Sequence, residues 1–353
     1  MDISSPSYFS HDLHPPPKQF PPLQYLNVSY FSFFTELHRS KRLLTILETL
    51  ALVAIFLTSV VGNVGAMALL SRKRRLMASK TMLTLNLFVA DLLFVSMIPL
   101  IVTVRWTVSW RLGHISCRTV LYVICMSGCV TITTLACISV ERLQAILRLQ
   151  TANSLNPRIV CVTLGSIWAV SALTSLPLLL FFQVIKVQSH DKRVMHICTL
   201  MWPDPIGEVV WNVAFTVFCF FIPGLVIVLS YTKILQIIKL SKRKFCPQRQ
   251  PGVTRQDIKL FRTLFILMLA FLIMWSPIFI ITFIILARNF QGHLFVSSTI
   301  FFWVMTFTLT NSALNPILYS MFQFRHSWRR LFCVTEVVPL KVSSTPSANR
   351  QGK

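Results

Sequence analysis

Ionisable side chains are scarce in the long apolar runs of this 353-residue chain, so each one found there is a candidate for function. Asp91 is the one acidic residue deep in such a run. Its carboxyl either stays protonated and hydrogen-bonds a neighbouring helix, or forms a cation or proton site with Thr131, Asn311 and Asn315 as oxygen donors. Arg105 lies 14 residues further on, about 21 Å along a helix. Its guanidinium either anchors the helix at a membrane interface or pairs bidentately with an anionic head group. Glu48, near the end of another run, is a counter-charge for Arg105 when no ligand is bound. The aromatics Trp202, Trp211, Phe215, Trp275, Phe301 and Phe302 can line an apolar slot. Such a slot suits a long acyl chain, each buried methylene contributing about 0.8 kcal/mol. Glu141 and Arg142, adjacent at the end of a third run, read alone as a solvated pair.

The elements that must position these residues follow from apolar length. Uncharged stretches at 49–71, 119–140, 159–185, 209–232, 263–287 and 294–324 each reach the length of a membrane-spanning helix, and 81–104 is interrupted only by Asp91. Seven spans are therefore expected, helical because the short alternating strands of a membrane barrel are missing. With 54% hydrophobic and only 13% charged residues, the chain is neither disordered nor a soluble domain, which carries about 25% charge. The net charge of +23 alone suggests a nucleic-acid binder, but that reading fails against so apolar a chain. With Arg142 and Lys233 set aside at span ends, the basic residues divide 21 to 11 between the two sides. The positive-inside rule then places the N-terminus outside and the C-terminus in the cytoplasm, and the basic collar lies beside anionic lipid of the bilayer. Residues 1–42, with five prolines between residues 15 and 22, read as a disordered tail whose Asn27-Val28-Ser29 is a glycosylation sequon. Pro99, Pro177, Pro223, Pro277 and Pro316 each fall inside a span, where proline bends the helix.

The motifs form an ordered series, one set per span. It runs Gly62-Asn63-Val64, Leu87-Phe88-Val89-Ala90-Asp91, Glu141-Arg142-Leu143, Trp168, Pro223 with Tyr231, Met274-Trp275-Ser276-Pro277, and Asn315-Pro316-Ile317-Leu318-Tyr319. The series resembles the class A, rhodopsin-like G-protein-coupled receptors, from span one to residue 333. The resemblance implies an all-α membrane protein: a receptor domain of seven transmembrane helices at 43–321, a short amphipathic eighth helix at 322–333 and a cytoplasmic tail at 334–353. It implies a sodium-sensitive polar core at Asp91, Asn311 and Asn315, and a toggle at Trp275 beside Pro277. Ile132, Pro223 and Phe271 match the connector triad. Arg142, Tyr231 and Tyr319, near Glu141 and Pro316, match the groups that rearrange to open the G-protein cleft. Cys117 and Cys198 match the loop-to-helix disulfide. Leu143 and Met274 depart from the commonest residues, tyrosine and cysteine. Ile124 stands where amine receptors have aspartate, and Leu309 where opsins have their retinal-bearing lysine, so neither ligand is expected.

Within that class, residues 83–106, 197–203, 223–237, 260–277 and 301–319 are similar to receptors for long-chain fatty acids. The similarity implies medium- to long-chain fatty acid ligands, including omega-3 polyunsaturated ones. It also implies signalling through Gq/11, with Gi as a second partner, and through arrestin. Arg105, Trp110, Trp202, Trp211, Phe215, Trp275, Phe301, Phe302 and Thr308 fall on matching pocket positions. Leu121, Cys125 and Cys219 depart from that pattern, which bears on chain-length preference. No catalytic group, cofactor or metal beyond sodium at Asp91 is implied. Cys333, after the basic amphipathic segment, is a palmitoylation candidate. Thr335, Ser343, Ser344, Thr345 and Ser347 are phosphosite candidates. Two further readings stay open: a receptor for another acidic lipid or peptide, and a seven-helix transporter or proton translocator using Asp91. The missing internal repeats and missing span-seven lysine weigh against the latter.

Overall fold

The computed structural model describes residues 31–34, 42–71, 79–147, 157–188, 194–243, 255–291 and 297–323. Asn27, Cys333, Thr335, Ser343, Ser344, Thr345 and Ser347 lie outside them, as does nearly all of the segment read as an eighth helix. Span one is α1 (Arg42–Ser71). Span two is broken into α2 (Ser79–Val95) and α3 (Ile98–Thr107). The break has a local cause: Pro99 has no N–H for the carbonyl of Val95, and α2 stops there. Span three, α4 (Gly113–Leu147), is the central helix, packed against α2, α5 and α7. Span four is α5 (Pro157–Phe181).

Span five joins α6 (Pro205–Thr216) to α7 (Ile222–Arg243) through one π-helical turn, Val217–Phe221. Asp204 caps α6 by accepting from the Gly207 amide at 2.8 Å, with Pro205 in the first turn. The π turn precedes Pro223, whose missing N–H would orphan the Cys219 carbonyl, and the ladder re-registers so that Ile222 N–H donates to Val217 O. Span six is α8 (Arg255–Gln291). Span seven is α9 (Ser298–Leu309) followed, after a break at Thr310, by α10 (Asn311–Gln323). Spans one to six are each long and apolar enough to cross a membrane as continuous segments.

Two expectations are corrected. The apolar stretch at 159–185 is not all helix: α5 stops at Phe181, and β1 (Phe182–Gln188) pairs antiparallel with β2 (Val194–Leu200). Apolar run length cannot separate a helix end from a β-branched strand that continues the run. Second, the segment read as tail is not wholly detached, because Phe31, Ser32, Phe33 and Phe34 are buried against the bundle. The Cys117–Cys198 disulfide ties β2 to the head of α4. The hairpin is held from other sides too: Trp110 N–H donates to His196 O at 2.8 Å, and Thr199 Oγ1 donates to Phe31 O at 2.9 Å.

Candidate functional site

At the disulfide end the helices splay around a cavity with about 930 Å³ of empty space, its open mouth included. Its wall is apolar: Leu121, Ile124 and Cys125 on α4, Trp211 and Phe215 on α6, Ile278, Phe279, Thr282 and Ile285 on α8. Phe33, Phe182 and Leu200 cover it from the tail segment and hairpin. Trp275, with Phe94, Met305 and Thr308, closes the deep end. Among the described lining residues Glu208 is the one charged side chain. Aromatic rings run down one side without a gap: Phe181 to Trp202 at 4.5 Å, Trp202 to Trp211 at 5.6 Å, Trp211 to Phe215 at 4.9 Å. Cys129 and Cys219 pack with Phe215 behind Cys125, a soft wall that deforms more readily than branched carbon.

Trp275 is held by shape. Its indole stacks on Phe271 at 5.1 Å and leans on Phe94 at 5.4 Å, and its edge lies against the bare backbone of Gly128 on α4. A Cβ at Gly128 would stand only 1.9 Å from Cη2 of the indole, so no larger residue permits this seat. The indole Nε1 is buried with no hydrogen-bond partner. Beside Pro277, Thr308 Oγ1 donates to Met274 O at 3.0 Å and bridges span seven to the bent part of span six. The same arrangement recurs at Pro177, where Trp211 Nε1 donates to Thr174 O at 3.0 Å. In each case a side chain from another span satisfies a carbonyl next to a proline bend.

The mouth is less open than expected for a carboxylate site. Arg105 is 5% exposed and pairs with Glu48, which is 0% exposed. Arg105 Nε donates to Glu48 Oε2 at 2.9 Å, Nη2 donates to the same oxygen, and the guanidinium lies 4.9 Å over the ring of Phe302. The counter-charge read from sequence is thus in place. Trp110 is also committed: it donates Nε1 to Gly113 O at 2.8 Å and packs on Phe34. Of the nine residues read as ligand contacts, Trp211, Phe215, Trp275, Phe301 and Thr308 line the cavity, whereas Arg105, Trp110, Trp202 and Phe302 do not. Residues not foreseen include Phe33, Phe94, Leu178, Phe182, Phe279 and Met305. In spans apolar on every face, polarity does not mark which side faces a cavity.

Below the cavity lies a polar layer. Asn315 Nδ2 donates to Asp91 Oδ2 at 2.6 Å, joining spans seven and two. Asn311 and Thr131 are buried, but no described hydrogen bond joins either to Asp91. Asn63 Nδ2 donates to Ser312 O at 3.1 Å, the carbonyl that Pro316 leaves unpaired four residues later. Gly62 makes room for this, since a Cβ there would meet Pro316 Cγ at 2.8 Å. Asn86 accepts from Trp168 Nε1 and donates to Thr134 Oγ1, both at 2.8 Å, which ties spans two, three and four. At the far end Arg142 Nε lies 3.5 Å from Glu141 Oε2. Ile132, Phe271 and Tyr231 share the buried core, and Pro223 is buried on α7. Tyr319 lies on α10, but its side chain is outside the described residues.

Seven spans, the disulfide-tethered hairpin, and proline-bent helices tied by Asn63, Asp91 and Asn315 define a class, and residues 62–319 match the seven-transmembrane receptors of the rhodopsin family. The chain belongs to that family, the class A G-protein-coupled receptors, which are receptors and not enzymes. Its similarity to individual members is more specific. It is 47% identical over 322 residues to free fatty acid receptor 4 of Mus musculus, covering 88% of each chain. To free fatty acid receptor 4 of Rattus norvegicus it is 48% identical over 319 residues, covering 87% of this chain and 88% of that one. Somatostatin receptor type 5 of Rattus norvegicus is 31% identical over 281 residues, covering 77% of this chain and 74% of that receptor.

Proposed function

We propose that the chain is a plasma-membrane receptor for medium- to long-chain free fatty acids, omega-3 polyunsaturated ones included, signalling through Gq/11, with Gi as a second partner, and through arrestin. The observation that carries this reading is the cavity: apolar along its wall, ring-lined, and closed at its deep end by Trp275. Burial of each chain methylene there contributes about 0.8 kcal/mol, and ring faces suit chain double bonds. The 47% identity to free fatty acid receptor 4 of the mouse over most of both chains supports the same ligand class. Arg105 meets a carboxylate when the ligand displaces Glu48; until then each of the two buried charges neutralises the other.

A chain pressing on Trp275 would shift span six about Pro277 and, through Thr308, span seven. Ile132, Pro223 and Phe271 would relay that movement. Arg142 would leave Glu141 and, with Tyr231 and Tyr319, form the G-protein cleft. Asp91, Asn311 and Asn315 supply only oxygen acceptors and amides, a donor set that suits a hard monovalent cation, so sodium would hold the resting state there. The N-terminus is extracellular and the C-terminus cytoplasmic on the basic-residue asymmetry. Asn27 is the proposed glycan site, Cys333 the proposed palmitoylation site, and Thr335, Ser343, Ser344, Thr345 and Ser347 the proposed phosphosites. The test is calcium mobilisation in cells with the receptor verified at the surface, challenged with saturated and polyunsaturated acids of graded length. Responses should favour long chains; silence toward every acid would overturn the reading and leave another acidic lipid or a peptide as ligand.

A further inference from the structure

We infer that Asn212, on the α6 wall of the cavity, is a specificity residue that recognises a hydroxyl carried part-way along the acyl chain. Hydroxylated long-chain acids are then bound in preference to analogues whose oxygen brings no hydrogen. The inference rests on the fatty acid reading above and adds a determinant of ligand choice to it.

α6 starts beside the hairpin at the cavity mouth and runs inward. Glu208, Asn212 and Thr216 follow one another along it at four-residue steps, about 6 Å each. All three border the cavity, Glu208 outermost and Thr216 deepest of the α6 lining residues, so Asn212 lies between mouth and floor.

Polar side chains in an apolar span commonly satisfy themselves on a carbonyl of the preceding turn. Thr216 Oγ1 donates in this way to Asn212 O at 2.8 Å, and Thr282 Oγ1 to Ile278 O at 2.7 Å. Asn212 does so with only half of its amide. Its Nδ2 donates to Glu208 O at 2.9 Å. A carbonyl can only accept, so the amide nitrogen must face it and Oδ1 must face away. Oδ1 accepts from no described residue, although Asn212 is only 6% exposed. Nor is Oδ1 sealed in, as the indole Nε1 of Trp275 is. The space that reaches it is the cavity.

The wall around it offers acceptors. Of the lining hydroxyls, Thr216, Thr282 and Thr308 all spend their hydrogens on main-chain carbonyls, and Trp211 Nε1 spends its own on Thr174 O. The thiol of Cys125 is a weak donor. A ligand group that brings a hydrogen therefore fits, its O–H donating to Asn212 Oδ1. A ketone at the same level sets a second lone pair against that oxygen, and both groups are left buried without a partner.

The test is calcium mobilisation by three octadecanoic acids, plain, hydroxylated at mid-chain and keto at mid-chain. It is run on wild type and Asn212→Leu, each verified at the surface. The hydroxy and keto acids match in length and in the place of their oxygen, so the ratio of their potencies isolates the O–H. At wild type the hydroxy acid should be about tenfold more potent than the keto acid. Asn212→Leu should bring the two together. Equal potencies at wild type would overturn the inference, as would a wild type that answers the plain acid and neither oxygenated one. A ratio that survives Asn212→Leu, with or without a loss common to all three acids, would overturn it too, because the O–H then binds elsewhere. A wild type deaf to all three would instead overturn the fatty acid reading.

Discussion

Replacing Gly128 by alanine should unseat Trp275 and raise signalling in the absence of ligand. The new Cβ would lie 1.9 Å from Cη2 of the indole, and 2.6 and 2.7 Å from Cζ2 and Cζ3. Ordinary contact begins at 3.4 Å, so the ring edge must retreat by about 1.5 Å, the difference between 3.4 and 1.9 Å. Neither partner yields easily, since Gly128 is backbone in the middle of α4 and the rigid indole is stacked on Phe271 and leaning on Phe94. Overpacking of this kind costs about 1–3 kcal/mol, which disfavours the resting seat by roughly 5- to 150-fold against any arrangement the indole has left. The assay is ligand-independent G-protein signalling per surface receptor, run alongside the thermal midpoint of purified protein. Trp275→Ala in the same background removes the clash, and the two changes should couple by more than about 0.5 kcal/mol. A Gly128→Ala receptor with wild-type basal signal would refute the reasoning, as would a lowered midpoint with no rise in signal.

Glu48→Gln should lower the thermal midpoint, because removing one partner of a buried ion pair costs about 3–5 kcal/mol; adding Arg105→Gln should recover part of it, and an unchanged midpoint for Glu48→Gln would contradict the pairing. Cys198→Ser frees β2 from α4 and should cost about 2–5 kcal/mol in the same measurement, a loss that reductant should reproduce in wild type and not in the variant. Asp91→Asn should make ligand affinity insensitive to sodium chloride, whereas wild type should bind agonist less tightly as sodium rises; equal sodium dependence in both would remove Asp91 from the cation site.

The spans were legible because apolar length is a strong signal, and the chemical residues because polar groups in such runs are rare. Asp91, Asn315 and the Glu48–Arg105 pair emerged that way. Three features were hidden for physical reasons. The strand at Phe182 continues the apolar run of α5, so hydropathy does not change where the backbone does. The cover formed by Phe31, Phe33 and Phe34 follows a proline-rich stretch whose composition promises no packing. Gly128 carries no side chain to advertise that an indole lies against it. At Arg105 the sequence offered two carboxylates, a ligand's and that of Glu48, and the geometry puts Glu48 there.

The most direct test of the central claim, that this cavity binds a fatty acid by its chain, is equilibrium binding to purified receptor along a series of saturated acids. Each added methylene should tighten binding about fourfold, the equivalent of about 0.8 kcal/mol, until the chain reaches Trp275, after which affinity should level off. An affinity that does not change with chain length would place the acyl chain outside the cavity and contradict the account.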